Sequence, residues 1–318
     1  MQLRWRPYRW ALQPPLITAC GPWSERRGWL LRLEDPGSGS VGWGEAAPLP
    51  AEHAQCADAL AALPSECSTE HLEQALRALP GPAAFAIGLA LAELEGLQGG
   101  QWLPAPASAV LLPAGDEAIA ALQSALQRAT GQPAEFAAKW KVGVLDPDTE
   151  LQLLEQLLEQ LPSGAQLRLD ANGSWDRATA GRWAMRLQHE GKLQWLEQPL
   201  PPSDHAGLLA LGRRLPVALD ESLRHPSGLP PGWSGWLVHK PALEGDPRPK
   251  LLQLKQGAAK QMVSSALESG IGARAVAHMA ALASRGPTPC AAGLAPGWGA
   301  SGDLASTIPQ QVWEAAGS

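Results

Sequence analysis

Short apolar runs typical of β-strands recur at a steady pitch from about residue 108 onward, with helical or capped segments between most of them. The eight runs are 108–113, 135–142, 165–170, 193–197, 216–220, 235–240, 261–266 and 289–294. Helical patterns occupy 146–161, 174–188 and 270–284, whereas 223–234 is rich in Pro and Gly and too short for a helix prediction. Eight strands alternating with helices over roughly 200 residues are typical of a (β/α)8-type barrel.

The first hundred residues have a different organisation, because strands and helices are segregated there. The strand-like stretches are 3–12, 28–33 and 41–45, and the helical patterns that follow are 52–62, 69–79 and 82–98. Segregated strands and helices predict a small α+β domain. The predicted fold is therefore α/β, a modified (β/α)8-type barrel with an N-terminal α+β capping domain that the C-terminal segment completes. The predicted boundaries are 1–104 for the capping domain, 105–302 for the barrel and 303–318 for the C-terminal segment.

Composition excludes several classes of protein. The chain has 318 residues, of which 45% are hydrophobic, but no window approaches 18 consecutive apolar residues, so a membrane span is not expected. The net charge of −6 is spread along the chain without a basic stripe, which argues against a nucleic-acid partner. The N-terminus lacks the apolar core of a signal peptide. We expect a cytoplasmic protein with neither a membrane nor a nucleic-acid partner, and the sequence favours no particular oligomeric state.

The four cysteines agree with that expectation. They are Cys20, Cys56, Cys67 and Cys290. None of their spacings is that of a zinc site, and so few cysteines are typical of a reducing compartment. We therefore assign them no function.

Charged residues stand at or near the ends of five consecutive predicted strands. They are Lys139 and Lys141, Arg168 and Asp170, Glu197, Asp220, and Lys240. Catalytic side chains of a barrel of this type project from the carboxyl ends of its strands. Because side chains alternate between the faces of a strand, Lys139 and Lys141 share one face and Trp140 takes the other. Lys accounts for 7 of the 25 basic residues, so lysines inside an apolar strand call for an explanation.

Three carboxylates on successive strands predict a metal site. Asp170, Glu197 and Asp220 would meet at the barrel mouth, where they would repel one another without a cation. Oxygen ligands without His or Cys suit Mg²⁺, with Mn²⁺ as a possible substitute. Each residue alone has an ordinary alternative, since a carboxylate at a strand end often caps the next helix or forms a surface ion pair. For Asp170, the following Asn-Gly also has the form of a simple turn.

The same strand ends resemble those of a known family. The motifs are KWK (139–141), RLDAN (168–172), WLEQPL (195–200), ALDESL (218–223) and VHKPAL (238–243). In order and spacing they resemble the barrel signatures of the enolase superfamily, and a lysine on each side is typical of its muconate-cycloisomerase-like subgroup. The chain is similar above all to the o-succinylbenzoate synthase branch, which GWGEAAPLP (42–50) and SSALESGIG (264–272) also match.

This resemblance implies a reaction and a role for each residue. Asp170, Glu197 and Asp220 would hold Mg²⁺, Lys141 would take an α-proton and return it to the departing hydroxide, and Lys240 would stabilise the enediolate by its charge. A lysine base must be neutral, and burial together with the positive charges of Lys139 and the metal would lower the pKa of Lys141. The remaining candidates bind substrate or support the ligands: Lys139, Arg168, Asn172, Ser264 and Ser265.

The implied reaction is the syn dehydration of 2-succinyl-6-hydroxy-2,4-cyclohexadiene-1-carboxylate to o-succinylbenzoate, on the route to menaquinone or phylloquinone. The alternatives are N-succinylamino acid racemisation, another two-lysine epimerisation or cycloisomerisation, and a barrel without catalytic activity. The absence of acidic residues from 288–301 argues against dipeptide epimerisation. The polar stretch Leu16–Arg27 is expected to be a mobile loop that closes the pocket.

Overall fold

The computed structural model describes residues 1–18, 21–129 and 135–317. Contacts divide the chain into two compact units. Unit 1 comprises Met1–Pro106, Lys240–Ala259 and Val263–Ser318, and unit 2 comprises Ala107–His239 and Lys260–Met262. This division groups the last part of the predicted barrel with the N-terminal region. Because compact units are not the same as domains, the predicted domain boundaries remain a prediction. None of the described helices combines the length and apolar character that a membrane crossing requires.

Unit 1 begins with an antiparallel sheet and three helices. The strands are β1 (Gln2–Thr18), β2 (Gly21–Glu34) and β3 (Val41–Ala46), and they are ordered as in the sequence. The helices are α1 (His53–Ala61), α2 (Thr69–Ala75) and α3 (Gly81–Leu94). Helix α3 lies so close to β3 that a Cβ on Gly42 or Gly44 would clash with a backbone carbonyl oxygen of α3. The glycines of GWGE therefore permit this close packing.

The described residues of the predicted capping loop Leu16–Arg27 belong instead to two paired strands, β1 and β2. Leu16 in β1 pairs with Trp23 in β2, and the strand pairing continues through Arg27. Arg26 is buried and donates hydrogen bonds to the carbonyl oxygens of Leu267, Ala47 and Pro48. The polar composition suggests a loop because the partners of Arg26, which allow it to be buried, are distant in sequence. Ala19 and Cys20 lie outside the described residues.

A parallel sheet of seven described strands follows, and its strands are ordered as in the sequence. They are β4 (Val110–Leu112), β5 (Ala137–Lys141), β6 (Gln166–Asp170), β7 (Leu193–Glu197), β8 (Val217–Leu219), β9 (Trp236–His239) and β10 (Gln261–Val263). The helices between β4 and β8 are α4 (Glu117–Arg128), α5 (Pro147–Gln160), α6 (Arg177–Leu187) and α7 (His205–Gly212). Apart from Leu223, which ends a 3-10 helix (Glu221–Leu223), segment 223–234 forms no helix, as its composition predicts.

The two faces of this sheet have opposite chemistry. One row of paired residues is apolar and at most 1% exposed, and it packs against helices α4–α7: Leu112, Trp140, Leu169, Leu196 and Val217. The rows on the other face contain Lys139 paired with Arg168, and Lys141 paired with Asp170. Period-2 alternation thus places the charged residues on the face opposite the helices, as the sequence predicts.

A β-bulge in β7 adjusts this alternation. Leu167 pairs with Leu193, but its successor Arg168 pairs with Trp195, so Gln194 is the extra residue. Without the bulge, Leu193 would share a face with Trp195 and Glu197. Instead Leu193 joins the apolar core beside the helices. Bulges of this kind redirect side chains, here those that precede Glu197.

The remaining elements of unit 1 are helical. They are α8 (Pro241–Glu244), α9 (Arg248–Lys255), α10 (Gly270–Ser284) and α11 (Pro309–Ala315). The eighth predicted strand is reduced to isolated bridges, one of which joins Gly293 to Ser264. Helix α11 packs on the N-terminal sheet, where the Arg6 guanidinium lies 4.6 Å from the Trp313 ring centre and donates a hydrogen bond to the Trp313 carbonyl.

Candidate active site

Three buried carboxylates lie at the ends of β6, β7 and β8. Asp170 is 5% exposed, Glu197 is fully buried and Asp220 is 1% exposed. Asp170 pairs with Glu197 across β6 and β7, and Asp220 directly follows β8. We call Asp170, Glu197 and Asp220 the carboxylate cluster. Parallel pairing brings the three acidic side chains, which are distant in sequence, to the same edge of the sheet.

Lys139 lies against this cluster. Its Nζ is 2.7 Å from Asp170 Oδ2 and 2.7 Å from Glu197 Oε1. Burial lowers the pKa of Lys139, but the negative charges of Asp170, Glu197 and Asp220 outweigh burial and raise that pKa well above its usual value. Lys139 is therefore a permanent cation, as expected of a residue that neutralises an anionic site. Lys141, two residues further along β5, pairs in register with Asp170.

The carboxylate cluster suits an additional cation. Burial raises the pKa of Glu197, and although Lys139 opposes this effect, the charges of Asp170 and Asp220 raise it further. Hard oxygen donors that repel one another in this way match the ligand preference of Mg²⁺. Among the residues that the structure describes, no three His, Cys, Asp or Glu side chains are already gathered as one metal-binding group. The fit to Mg²⁺ therefore rests on the chemistry of the donors.

Asn172 supports the cluster from the turn after β6. Its backbone N–H donates to Asp170 Oδ1 at 2.9 Å, and its Nδ2 contacts Asp170 Oδ2 at 3.3 Å and Glu221 Oε1 at 3.0 Å. The residue has a φ of +46°, which Asn adopts more readily than most residues. The Asn-Gly turn thus both ends the strand and links Asp170 to the residue that follows Asp220.

Arg168 lies one layer deeper on the same face. Its guanidinium carbon is 4.2 Å from the Trp195 ring centre, and its Nε donates to Gln194 Oε1 at 2.6 Å. The Trp195 ring in turn packs against Trp236, with centroids 4.8 Å apart. Arg168 is therefore a buried cation stacked on an aromatic ring, an arrangement that stabilises the charge.

The other predicted residues belong to unit 1. Lys240 follows β9, and its backbone N–H donates to Glu244 Oε1 at 2.5 Å. Ser264 Oγ donates to the Gly293 carbonyl at 2.9 Å, and Ser265 Oγ donates to Glu268 Oε2 at 2.7 Å. Each serine hydroxyl thus already gives its proton to an acceptor within unit 1.

Three residues that contact the site give no signal in the strand pattern: Gln194, Gln198 and Glu221. Gln198 and Glu221 directly follow Glu197 and Asp220, so their nearness to a predicted ligand is the one signal available. Gln194 reaches Arg168 only because of the bulge in β7. Alternating hydrophobicity contains no information about such a bulge.

Comparison with known proteins decides the family. The family described as enolase C-terminal domain-like matches residues 121–231. An o-succinylbenzoate synthase from Thermosynechococcus vestitus is 41% identical over 293 residues. The match covers 88% of this chain and 88% of that protein. The chain belongs to the o-succinylbenzoate synthase family. The crystal structure of the o-succinylbenzoate synthase from Thermosynechococcus elongatus, complexed with Mg in its active site, has a TM-score of 0.80 and 37% identity, with 99% of each chain covered.

Membership of the o-succinylbenzoate synthase family also confirms the predicted fold class. A more distant structure, the L-Ala-D/L-Glu epimerase from Bacillus subtilis, has a TM-score of 0.69 at 22% identity and covers 95% of this chain and 91% of its own. At that identity the likeness concerns the fold alone. The chain is an α/β protein of the enolase superfamily, with a modified (β/α)8-type barrel and an N-terminal α+β capping domain.

Proposed function

We propose that this chain is a Mg²⁺-dependent o-succinylbenzoate synthase. The reaction is the syn dehydration of 2-succinyl-6-hydroxy-2,4-cyclohexadiene-1-carboxylate to o-succinylbenzoate. The observation that carries the proposal is the buried carboxylate cluster in contact with Lys139, with Lys141 in register beside Asp170. A site of this charge and composition suits a reaction that develops negative charge on a carboxylate substrate.

The carboxylate cluster would hold Mg²⁺, which supplies Lewis-acid stabilisation of the negative charge that forms on the substrate carboxylate. A Lys or His base acting beside Mg²⁺ is the established arrangement of the enolase superfamily, so this division of labour follows the family. Lys139 holds two of the three carboxylates in place and adds fixed positive charge. Asn172 keeps the Asp170 carboxylate oriented through two hydrogen bonds.

Two lysines would serve the reaction, one by transferring the proton and the other by stabilising the negative charge that forms. Neutral Lys141 Nζ takes the α-proton, and the electron pair of the broken C–H bond forms the enediolate. The enediolate then expels the hydroxyl group, which leaves as water with the proton that Lys141 returns. The ring becomes aromatic, and no oxidant or reductant is needed. Lys240 stays protonated and stabilises the enediolate by its charge.

The substrate's second carboxylate needs hydrogen-bond donors. Ser264 and Ser265 are the candidates from the sequence, and each hydroxyl would exchange its internal acceptor for the succinyl carboxylate. Each serine hydroxyl would keep one donated hydrogen bond in that exchange, since one acceptor replaces another. We also propose that the reaction lies on the route to menaquinone or phylloquinone and that the protein is cytoplasmic. The domain boundaries 1–104, 105–302 and 303–318 remain part of the proposal as sequence predictions.

An ultraviolet assay tests the proposal, because the product is aromatic. The purified protein should convert the cyclohexadiene substrate with added Mg²⁺ and lose this activity with a chelator. Lys141→Ala should abolish turnover and still bind Mg²⁺, so activity that survives this change would refute the assigned base. N-succinylamino acids are assayed in parallel. Racemisation without dehydration would replace the proposed reaction with a 1,1-proton transfer on the same site.

A further inference from the structure

Gln198 occupies a junction between the three loops that carry the carboxylate cluster. It directly follows Glu197 and is fully buried. Its backbone N–H donates to the Ala218 carbonyl at 2.8 Å, and its own carbonyl accepts from the Gly173 N–H at 2.6 Å. The main chain of this one residue therefore links the segment after Asp170 to the strand that leads to Asp220.

The side chain of Gln198 extends this link to Asp220 itself. Its Oε1 accepts hydrogen bonds from the backbone N–H groups of Asp220 and Ser222, both at 3.2 Å, and contacts Ser222 Oγ at 3.1 Å. Its Nε2 donates to the Leu200 carbonyl at 3.0 Å and to Ser222 Oγ at 2.9 Å. Two N–H donors on one side and a carbonyl on the other determine the amide orientation.

The backbone of Gln198 requires support from these contacts. Its φ is +34°, a region that residues other than Gly rarely adopt. Such a conformation persists when the surrounding hydrogen bonds over-determine it, and it is common next to functional sites. A buried amide whose donors and acceptor are all engaged meets that condition.

We propose that Gln198 is a positioning residue that holds Asp220 in register with Glu197 and thereby sets the affinity of the site for Mg²⁺. The inference rests on the proposed function, because it assigns Gln198 a role toward the metal that the carboxylate cluster would bind. Mg²⁺ demands near-ideal octahedral geometry, so the relative position of its ligands matters more than it does for larger cations. Gln198 acts on the Asp220 backbone, whereas Asn172 acts on the Asp170 carboxylate.

The test compares Mg²⁺ affinity, by calorimetry, between wild type and Gln198→Met. This change keeps the length of the side chain and removes every amide hydrogen bond. We expect Mg²⁺ affinity to fall roughly 10- to 100-fold, the usual cost of losing a group that orients a metal ligand. At saturating Mg²⁺ the kcat should recover toward wild type, because no reacting group is lost. An unchanged affinity would overturn the inference.

A matched control and a milder variant make the test decisive. Gln261→Met removes another buried amide of unit 2, which contacts His239 at 2.7 Å, and should leave Mg²⁺ affinity unchanged. Equal weakening in both variants would indicate a general loss of packing and overturn the inference. If Gln198→Met does not fold, Ser222→Ala decides: a several-fold weakening supports the inference, and no change overturns it.

The Mg²⁺ affinity of Asp220→Asn shows whether a negative result contradicts the proposed metal site or only the role of Gln198. If wild type binds no Mg²⁺, or if Asp220→Asn leaves the affinity intact, the proposed metal site fails and the role of Gln198 fails with it. If Asp220→Asn weakens binding and Gln198→Met does not, only the role of Gln198 is wrong.

Discussion

Unit 1 and unit 2 each bury acidic side chains, but the groups that contact the carboxylates differ between the two units. In unit 2 the ammonium of Lys139 pairs with Asp170 and Glu197 of the carboxylate cluster, and the charge of Asp220 also acts on it. In unit 1 Glu45 is fully buried, and its donors among the described residues are uncharged: Tyr8 Oη at 2.5 Å, Ser269 N–H at 2.7 Å, Ser269 Oγ at 2.6 Å and Gly272 N–H at 2.8 Å. We call Glu45 with these three partners the Glu45 network.

The difference is the one we expect between a structural acid and the acids that we propose as metal ligands. The donors of the Glu45 network include the first turn of α10, where the positive end of the helix dipole favours a carboxylate. In the carboxylate cluster, burial raises the pKa of Glu197, Lys139 opposes that rise, and the charges of Asp170 and Asp220 add to it. Burial is thus common to both regions, and the cluster combines it with repulsion among three acids that a bound cation would relieve.

The largest expected effect comes from an isosteric change in the cluster. Glu197→Gln should abolish measurable Mg²⁺ binding and lower kcat/KM by roughly a thousand-fold or more, since metal stabilisation of the transition state is worth several kcal/mol. Its free energy of unfolding should fall by less than the roughly 3–5 kcal/mol typical of a broken buried ion pair, because Lys139 keeps Asp170 as a partner and the repulsion among the acids is relieved. Steady-state kinetics, calorimetry and chemical denaturation measure the three quantities.

Glu45→Gln is the matched control for this change. It makes the same chemical substitution in the Glu45 network, and we expect its Mg²⁺ affinity to remain that of wild type. If Glu45→Gln loses Mg²⁺ affinity as Glu197→Gln does, the division into structural and functional acids is wrong.

The next effect concerns the free energy of unfolding, which should depend more on the Glu45 network than on the carboxylate cluster. Glu45→Ala removes the acceptor of the Ser269 and Gly272 N–H groups and leaves them buried without it. The free energy of unfolding should fall by about 3 kcal/mol or more, because each unsatisfied buried donor costs about 1–3 kcal/mol. Tyr8→Phe loses a single hydrogen bond to Glu45, so it should cost less, about 1 kcal/mol. Equal losses in the two variants would contradict the network.

A third effect links the metal to stability. Mg²⁺ at about 100 times its Kd should raise the free energy of unfolding by about 2.7 kcal/mol, since it binds the folded state alone. The increase should vanish in Glu197→Gln and persist in Glu45→Gln. Thermal unfolding with and without a chelator measures it, and a Mg²⁺-dependent shift that survives in Glu197→Gln would place the metal elsewhere.

Particular residues show what could be predicted from the sequence. The facing of Lys139 and Trp140 follows from period 2, and the meeting of Asp170 with Glu197 follows from parallel pairing, so both were predictable. The eighth strand was over-predicted, because 289–294 forms only isolated bridges. An apolar run indicates burial but does not specify its hydrogen-bond partners.

Other features depend on contacts between residues distant in sequence. Leu16–Arg27 was expected to be a loop, but Arg26 is buried against carbonyls that include that of Leu267, 241 residues away. The bulge at Gln194 and the positive φ of Gln198 are similar cases, since neighbouring strands impose them. Such features arise from tertiary packing that overrides the local pattern.

The smallest expected effect extends the comparison to a buried base of unit 1. His278 is 2% exposed, and its Nδ1 accepts a hydrogen bond from the Leu103 N–H at 3.0 Å. Burial, with smaller contributions from the charges of Lys255 and Arg285, lowers the pKa of His278 to about 4 from an ordinary 6.5. Between these values the unfolded chain binds more protons than the folded one, so His278 contributes stability above pH 6.5 that is lost as the pH falls toward 4.

His278→Gln tests this behaviour, because Gln can accept the Leu103 hydrogen bond and does not titrate. Between pH 7 and pH 5 the wild type should lose roughly 1–2 kcal/mol more stability than the variant, which is part of the full linkage because the range from pH 5 down to the folded-state pKa is left out. Denaturation at both pH values measures the difference. Unit 1 would then lose stability in mild acid through a buried neutral base, whereas Lys139 in unit 2 keeps its charge throughout that range. Equal acid sensitivity in wild type and variant would show that His278 is not the group responsible.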